Sequence, residues 1–277
     1  MSVVTIGKFD GFHLGHRLLL EKLKELAGDH EKAAVLRILT PGKKLLSHDE
    51  MTEILSEYGN PEMTELEFTP EFAGITAGAF VRDTLVKCFG VREVIVGKDF
   101  RFGKDRAGDV ETLISLGREY GFGVTAVDKL SLEGEVVSSS RIRSCLSDGN
   151  VKTAGLLLGQ DIAYSGIVQH GKQLGRTIGF PTINLFAPED KLLPRFGVYR
   201  SIVEMDGNTY RGLTNIGLRP TVENSPTATV ETFMKDYSGD AYGHNVRVIL
   251  VDFLRPEKHF TSLDELVDSM KKDLKYI

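Results

Sequence analysis

Apolar positions along this chain of 277 residues change their spacing about halfway. Up to about Asn150, short apolar runs alternate with helical stretches. Val3–Ile6 predicts a strand, followed by a helix with Leu19, Leu23 and Leu26 on one face that Gly28 ends. Ala33–Leu39 predicts a second strand. Phe80, Val81, Leu85, Cys88 and Phe89 fall at helical spacing before Gly90, and Val94–Val96 reads as the next strand. Asp109 caps a helix carrying Val110, Leu113 and Ile114 that stops at Gly121, with Val124–Val127 as a strand beyond it. Strands that are nearly continuous apolar runs and alternate with helices predict a parallel sheet covered on both faces, with ligands beyond the strands' carboxyl ends.

From Asp161 the pattern is strand after strand: Ile162–Gln169, Gly197–Met205, Thr209–Ile216, Thr227–Met234 and Val246–Phe253. Asp206-Gly207 between two of them is a tight-hairpin signal. The run predicts an antiparallel barrel or sandwich. The tail reads as a helix opened by Ser262 and Glu265 in capping-box spacing, with Leu263, Leu266, Val267, Met270 and Leu274 as a core-packing stripe. The fold class is therefore α/β plus all-β: a Rossmann-like parallel-sheet domain over 1–155, then a β-barrel domain with a C-terminal helix over 156–277.

Composition leaves that picture intact and excludes some roles. At 41% hydrophobic and 26% charged the chain is ordinary globular material. No apolar run is long enough to span a membrane, and no secretory leader is visible. Cys88 and Cys145 are too few and too far apart for a disulfide framework or a zinc site. They are expected as buried structural thiols, with a cytoplasmic location and a monomer or weak homo-oligomer. A net charge of −5 argues against nucleic acid as partner. Basic residues nonetheless cluster at Lys98–Arg106, Ser140–Arg143 and His170–Arg176, which suits small phosphorylated ligands.

The richest chemistry lies in GKFDGFHLGH, Gly7 to His16. A strand runs into a glycine-rich turn and then a helix, which puts two imidazoles and unsatisfied backbone N–H groups at a positive helix N-terminus. Val136-Val-Ser-Ser-Ser-Arg-Ile-Arg143 repeats the logic with capping hydroxyls and arginines, whose planar forks match phosphate oxygens. GKDFRFG, Gly97 to Gly103, follows a strand too; Phe100 and Phe102 either stack on an aromatic ligand or pack beneath the loop. Neither GKDFRFG nor HGKQLGR has the spacing of a Walker A loop.

GKFDGFHLGH, GKDFRFGKDRAGD and SSSRIR, in this order, resemble the FMN adenylyltransferase module of bacterial bifunctional riboflavin kinase/FAD synthetases. Gly175-Arg-Thr-Ile-Gly-Phe-Pro-Thr-Ile-Asn184 resembles the riboflavin kinase signature, and Asn215–Thr221, Val230–Thr232 and Asp240–Gly243 follow in that family's order. The resemblance implies two ATP-dependent activities, riboflavin to FMN and FMN to FAD with release of pyrophosphate. In the first domain it implies that His13 and His16 serve catalysis on the ATP phosphates. Gly7, Phe9, Asp10, Gly11, Gly15, Ser138, Ser139, Ser140 and Arg143 complete the phosphate site, and Asp99, Phe100 and Arg101 lie near nucleotide or flavin. In the second it implies Glu231 as the catalytic carboxylate, Thr182 and Asn184 as Mg²⁺ ligands, and Gly171, Gly175, Arg176, Gly179, Pro181, Asn215 and Arg219 around ATP and flavin.

One segment departs from the family. Where Phe-x-Pro-His-Pro is usual after the second strand, this chain reads Ile38-Leu-Thr-Pro-Gly-Lys-Lys44. Two alternatives follow: a riboflavin kinase with an impaired adenylyltransferase domain, or a flavin-sensing binding protein.

Overall fold

The computed structural model describes every residue except Asp29, 171–178 and 220–226. Its packing separates two units, Met1–Ser139 and Ser140–Ile277.

In the first unit, β1 (Ser2–Gly7), β2 (Lys32–Leu39), β3 (Glu62–Glu67), β4 (Val91–Gly97) and β5 (Gly123–Val127) form one parallel sheet in the order β3-β2-β1-β4-β5. Sequence order reverses between β1 and β4, which opens a crevice at their carboxyl ends. Val4, Ile6, Ala34, Leu36, Val94 and Val96 pack one face of the sheet against Phe80, Val81, Leu85 and Leu113. Helix α1 (Leu14–Ala27) buries Leu19, Leu20 and Leu23, each side chain contributing about 1.5–3 kcal/mol. Helix α2 (His48–Glu57) starts at a reciprocal capping box, with Ser47 Oγ accepting from Glu50 N and Glu50 Oε2 accepting from Ser47 N.

Helix α3 (Phe80–Cys88) is wound as a π-helix. Its wider turn lets Cys88 Sγ donate to Asp83 O, five residues back, and carries the thiol out of the buried face. Cys88 is therefore exposed and Cys145 half-buried, contrary to the expectation of two buried thiols. Helix α4 (Val110–Tyr120) begins at Asp109, whose Oδ1 accepts from Thr112 N, and ends at left-handed Gly121. A short hairpin, β6 (Ser131–Leu132) and β7 (Glu135–Val136), precedes the SSSRIR segment.

The second unit carries α5 (Ser139–Asp148, beyond its first residue), α6 (Val151–Leu158) and six antiparallel strands. These are β8 (Ala163–Ile167), β9 (Thr182–Phe186), β10 (Gly197–Met205), β11 (Asn208–Arg219), β12 (Thr227–Met234) and β13 (Asn245–Arg255), in the order β8-β13-β10-β11-β12-β9. Beyond β8, Gln169 N donates to Asn184 O of β9 at 2.9 Å, which joins the two outer strands and makes the sheet a barrel instead of a sandwich. Asp206 and Gly207, with φ of 50° and 76°, form the hairpin turn between β10 and β11. A buried hydroxyl chain crosses three strands: Thr214 Oγ1 donates to Ser201 Oγ at 2.7 Å and lies 2.8 Å from Thr232 Oγ1.

The final helix, α7 (Leu263–Asp273), is capped by Ser262, while the Glu265 carboxylate accepts from the N–H and hydroxyl of Thr261. Its expected core stripe is only half-buried, and Leu263 is 51% exposed. Asp273 replaces part of that packing. Its carboxylate is buried and accepts from Arg255 Nε at 3.0 Å and Arg255 Nη2 at 2.8 Å. No described helix is long and apolar enough to cross a membrane.

Candidate active sites

The turn after β1 is built from strained but buried residues. Phe9 and Phe12 both adopt left-handed φ, 38° and 37°, at a cost of about 1–3 kcal/mol each. Full burial and ring stacking at 5.4 Å hold them there. The Phe9 ring therefore faces the core, supporting the loop and touching His16 edge-on at 5.0 Å. The resulting backbone presents His13 as the N-cap of α1. His13 Nδ1 accepts from His16 N at 3.3 Å, and His13 O accepts from both His16 N and Arg17 N.

The two imidazoles stack with centroids 3.7 Å apart and planes inclined by 13°. Burial pushes the His13 pKa down to about 4, opposed by its own backbone hydrogen bond and the Asp10 carboxylate. Burial, and then the His13 charge, hold His16 well below the usual imidazole range. Both rings are neutral at pH 7. Because His13 Nδ1 is an acceptor, the His13 proton sits on Nε2. His16 Nδ1 is buried with no partner among the described residues, a cost that a ligand at this site can relieve. Gly15 keeps the pair together, since a Cβ there would stand 3.3 Å from His13 Cε1 and Nδ1.

These groups line a cavity of about 220 Å³ at the carboxyl ends of β1, β4 and β5. Gly7, His13, Gly15 and His16 come from the first loop; Gly97, Asp99 and Phe100 come from the loop after β4; Ser138 comes from the segment leading into α5. Asp10 and Gly11 are buried within the loop. Phe100 lines the cavity and stacks on Phe102 at 5.4 Å, and Phe102 packs into the core on Phe80, so both rings pack against the same core cluster. Arg101 does not line the cavity; its guanidinium pairs with Asp109 at 2.9 Å. The basic run at 98–106 is thus partly neutralised, with Lys98 paired to Asp128 at 2.7 Å. Ser139 opens α5, Ser140 is exposed, and Arg143 is half-buried one turn on, within the second unit.

Sequence reasoning missed the cavity wall after β5, formed by Val127, Asp128, Lys129 and Leu130. Its signal was the Asp-Lys pair that mirrors Lys98-Asp99 at the end of the neighbouring strand.

On the barrel, the cross-strand register puts Asn184, Glu231 and Asn215 side by side on β9, β12 and β11. Opposed residues share a face, as does Thr182 two positions before Asn184. Thr182 Oγ1 donates to Glu231 Oε1 at 2.7 Å, and Asn215 Nδ2 donates to Glu257 Oε1 at 3.1 Å. Pro181 and Thr182 also line a cavity of about 430 Å³, walled by Val168, Met234 and Tyr237–Tyr242. Asp240 Oδ1 accepts from Tyr242 N, and the Tyr242 ring lies 3.9 Å from that of His170. Gly179 takes a left-handed φ of 83° just before this wall. Gly171, Gly175, Arg176 and the side chain of Arg219 lie outside the described residues.

Thr182, Asn184 and Glu231 offer only oxygen donors to a cation, with a single carboxylate among them. No group of three or more His, Cys, Asp or Glu able to hold a metal occurs among the described residues. The set fits a hard Mg²⁺ that takes its remaining ligands from water and phosphate, not a closed protein cage.

Comparison with known proteins separates the same two halves. Residues 1–141 match the family model for FAD synthetase, and residues 158–277 match that for riboflavin kinase. The chain is 37% identical over 283 residues to the bifunctional riboflavin kinase/FMN adenylyltransferase of Escherichia coli (strain K12), covering 98% of this chain and 90% of that protein. The protein of the same name from Listeria monocytogenes is 32% identical over 286 residues, with the same two coverages. A crystal structure described as a macrolide-efflux protein from Streptococcus pneumoniae superposes with a TM-score of 0.84 at 33% identity, covering 99% of this chain and 92% of that one.

Proposed function

We propose that this chain, which belongs to the bifunctional riboflavin kinase/FMN adenylyltransferase family, phosphorylates riboflavin in its barrel and adenylylates the resulting FMN in its parallel-sheet unit. The carrying observation is that each half holds its own chemically complete group: the neutral His13–His16 stack at a helix N-terminus, and the Thr182–Glu231 pair on the barrel.

In the first unit, an FMN phosphate oxygen attacks the α-phosphorus of ATP, the α–β bridging bond breaks, and pyrophosphate leaves. The protein needs no covalent intermediate, only alignment and relief of charge. His13 Nε2–H and the α1 backbone N–H groups donate to phosphate oxygens. Both imidazoles stay neutral, so they act on the charge that builds on the leaving pyrophosphate by hydrogen bonding, with no proton transferred. Asp10 orients the loop, Asp99 and Phe100 contact nucleotide or flavin, and Ser138 and Ser139 complete the phosphate site.

In the barrel, Glu231 accepts the proton of the riboflavin 5′-hydroxyl as that oxygen attacks the γ-phosphorus of ATP and ADP leaves. Thr182 occupies Glu231 Oε1 and so leaves Oε2 for the substrate hydroxyl. Thr182 and Asn184 would hold Mg²⁺, which supplies charge neutralisation on the transferring phosphoryl group. Pro181, Gly179 and the 237–242 wall support a nucleotide in the larger cavity.

The family matches end at 141 and resume at 158; we assign 1–155 to the adenylyltransferase and 156–277 to the kinase. Free, exposed Cys88 supports a reducing cytoplasmic setting. Both family models match, which favours two activities over a kinase alone or a sensor, despite Ile38–Lys44. Incubation with riboflavin, ATP and Mg²⁺ followed by flavin separation tests the reading. FAD is expected to accumulate; FMN alone would remove the second activity, unchanged riboflavin would remove the kinase, and a parallel incubation with FMN and ATP that made no FAD would remove the adenylyltransferase.

A further inference from the structure

The charged side chains lining the first cavity sum to −1 among the described residues, the wrong sign for its substrates, which makes its one cation the side chain to account for. ATP and FMN both bring phosphate, yet the formal charges on the described lining residues are the carboxylates of Asp99 and Asp128 and the ammonium of Lys129. Neither imidazole offsets the carboxylates, because burial keeps both neutral. Lys129 is the one cation lining the cavity among the described residues.

Its surroundings leave it able to change partner. Gly97 and Val127 stand opposite each other at the ends of adjacent parallel strands, and each strand continues into a charged pair of opposite order, Lys98-Asp99 and Asp128-Lys129. The pairs cross: Lys98 Nζ meets Asp128 at 2.7 Å and Lys129 Nζ meets Asp99 at 2.9 Å. Lys98 does not line the cavity and its ion pair with Asp128 is the more exposed of the two, at 58% and 80%; the two loops are tied by backbone, Lys98 N donating to Val127 O at 2.9 Å. The Lys129 side chain is 49% exposed and that of Asp99 63%, so their attraction is screened by water. A phosphate group offers higher charge and more acceptor oxygens than a single carboxylate.

We propose, resting on the adenylyltransferase reading of this unit, that Lys129 is a phosphate-binding residue of the first cavity, exchanging the Asp99 carboxylate for a substrate phosphate while the backbone bond from Lys98 N to Val127 O keeps the loop in place. Two sources carry that phosphate, the ATP polyphosphate and the FMN 5′-phosphate.

Steady-state FAD formation from FMN and ATP is compared for wild type, Lys129→Ala, Lys129→Arg and Lys98→Ala, all as full chains. Lys129→Ala is expected to raise one KM about tenfold, the low end for a lost hydrogen bond to a charged group, with kcat changed less. Lys129→Arg restores most of it. A rise in KM for ATP alone names the polyphosphate, and a rise for FMN alone names the flavin phosphate. Riboflavin phosphorylation in the same samples should be unchanged, which verifies folding. Unchanged KM values in Lys129→Ala, or an equal rise in Lys98→Ala, would overturn the proposal. If wild type made no FAD, the adenylyltransferase reading would fail by itself. The lysine would then be decided by the Kd values for ATP (calorimetry) and FMN (fluorescence), where equal values in wild type and Lys129→Ala overturn it.

Discussion

Acid should loosen the first unit through His13, by an amount that the structure sets. An unfolded imidazole takes its proton near pH 6.5, whereas burial delays protonation of folded His13 to about pH 4. Above 6.5 neither state is charged, and His13 exacts no penalty. Between 6.5 and 4 only the unfolded chain binds the proton, so stability falls as pH drops and the loss is complete below about 4. From pH 7 to 4.5 the loss from His13 alone comes to about 2.5 kcal/mol. His16 adds a loss of the same sign.

The informative variant is His13→Asn, which keeps an N-cap acceptor for His16 N but no titrating ring. The chain contains no Trp, so hydrogen exchange read by mass spectrometry on peptides from β1 and α1, across a urea series, is the suitable assay. Wild type should lose about 2.5 kcal/mol more than His13→Asn between pH 7 and 4.5, although the variant starts weaker for want of the ring stack. Equal losses in the two proteins would refute the assignment of a buried, neutral His13.

Other outcomes follow from distances already given. Gly15→Ala places a methyl group 3.3 Å from the His13 ring; FAD formation should drop roughly 10–100-fold with FMN formation intact, since small misplacements at a reacting centre are costly. Glu231→Gln keeps an acceptor for Thr182 but removes the proposed base, so kinase kcat should fall about 10²–10⁴-fold with an unchanged melting profile and normal conversion of FMN to FAD. Thr214→Val breaks the buried hydroxyl chain and should cost about 1–3 kcal/mol in urea melts of the barrel. Asp273→Ala strands Arg255 and should cost about 3–5 kcal/mol, with increased hydrogen exchange in the last turn of α7.

The parallel sheet is legible because β1, β2 and β4 are covered on both faces and read as nearly continuous apolar runs. Edge strand β3, Glu-Met-Thr-Glu-Leu-Glu, escaped notice because an edge tolerates alternating carboxylates. Cys88 was misplaced because a spacing near four suits an α-helix, whereas the chain widens there into a π-turn that no composition signal marks. The histidine pair was found from its motif. Its neutrality was not, since that depends on how deeply Phe9 and Phe12 draw the loop into the core. Lys129 carries no signal in the sequence because a rim lysine acquires meaning only when the strand order puts β5 beside β4. In the barrel, the signature residues of β9 mask its strand pattern, and only the register shows why Thr182, Asn184 and Glu231 meet.

The way the barrel closes also fixes a timetable. Ala163 of β8 pairs with Ile249 of β13, so almost the whole second unit must be synthesised before that seam can form. The parallel sheet needs nothing beyond β5 and can assemble while the barrel is still being translated. Contacts so distant in sequence form slowly and leave strand edges exposed in the interval. A nascent chain stalled before β13 should therefore carry a protease-resistant first half and a sensitive second half, with FMN adenylylation gained earlier on the ribosome than riboflavin phosphorylation.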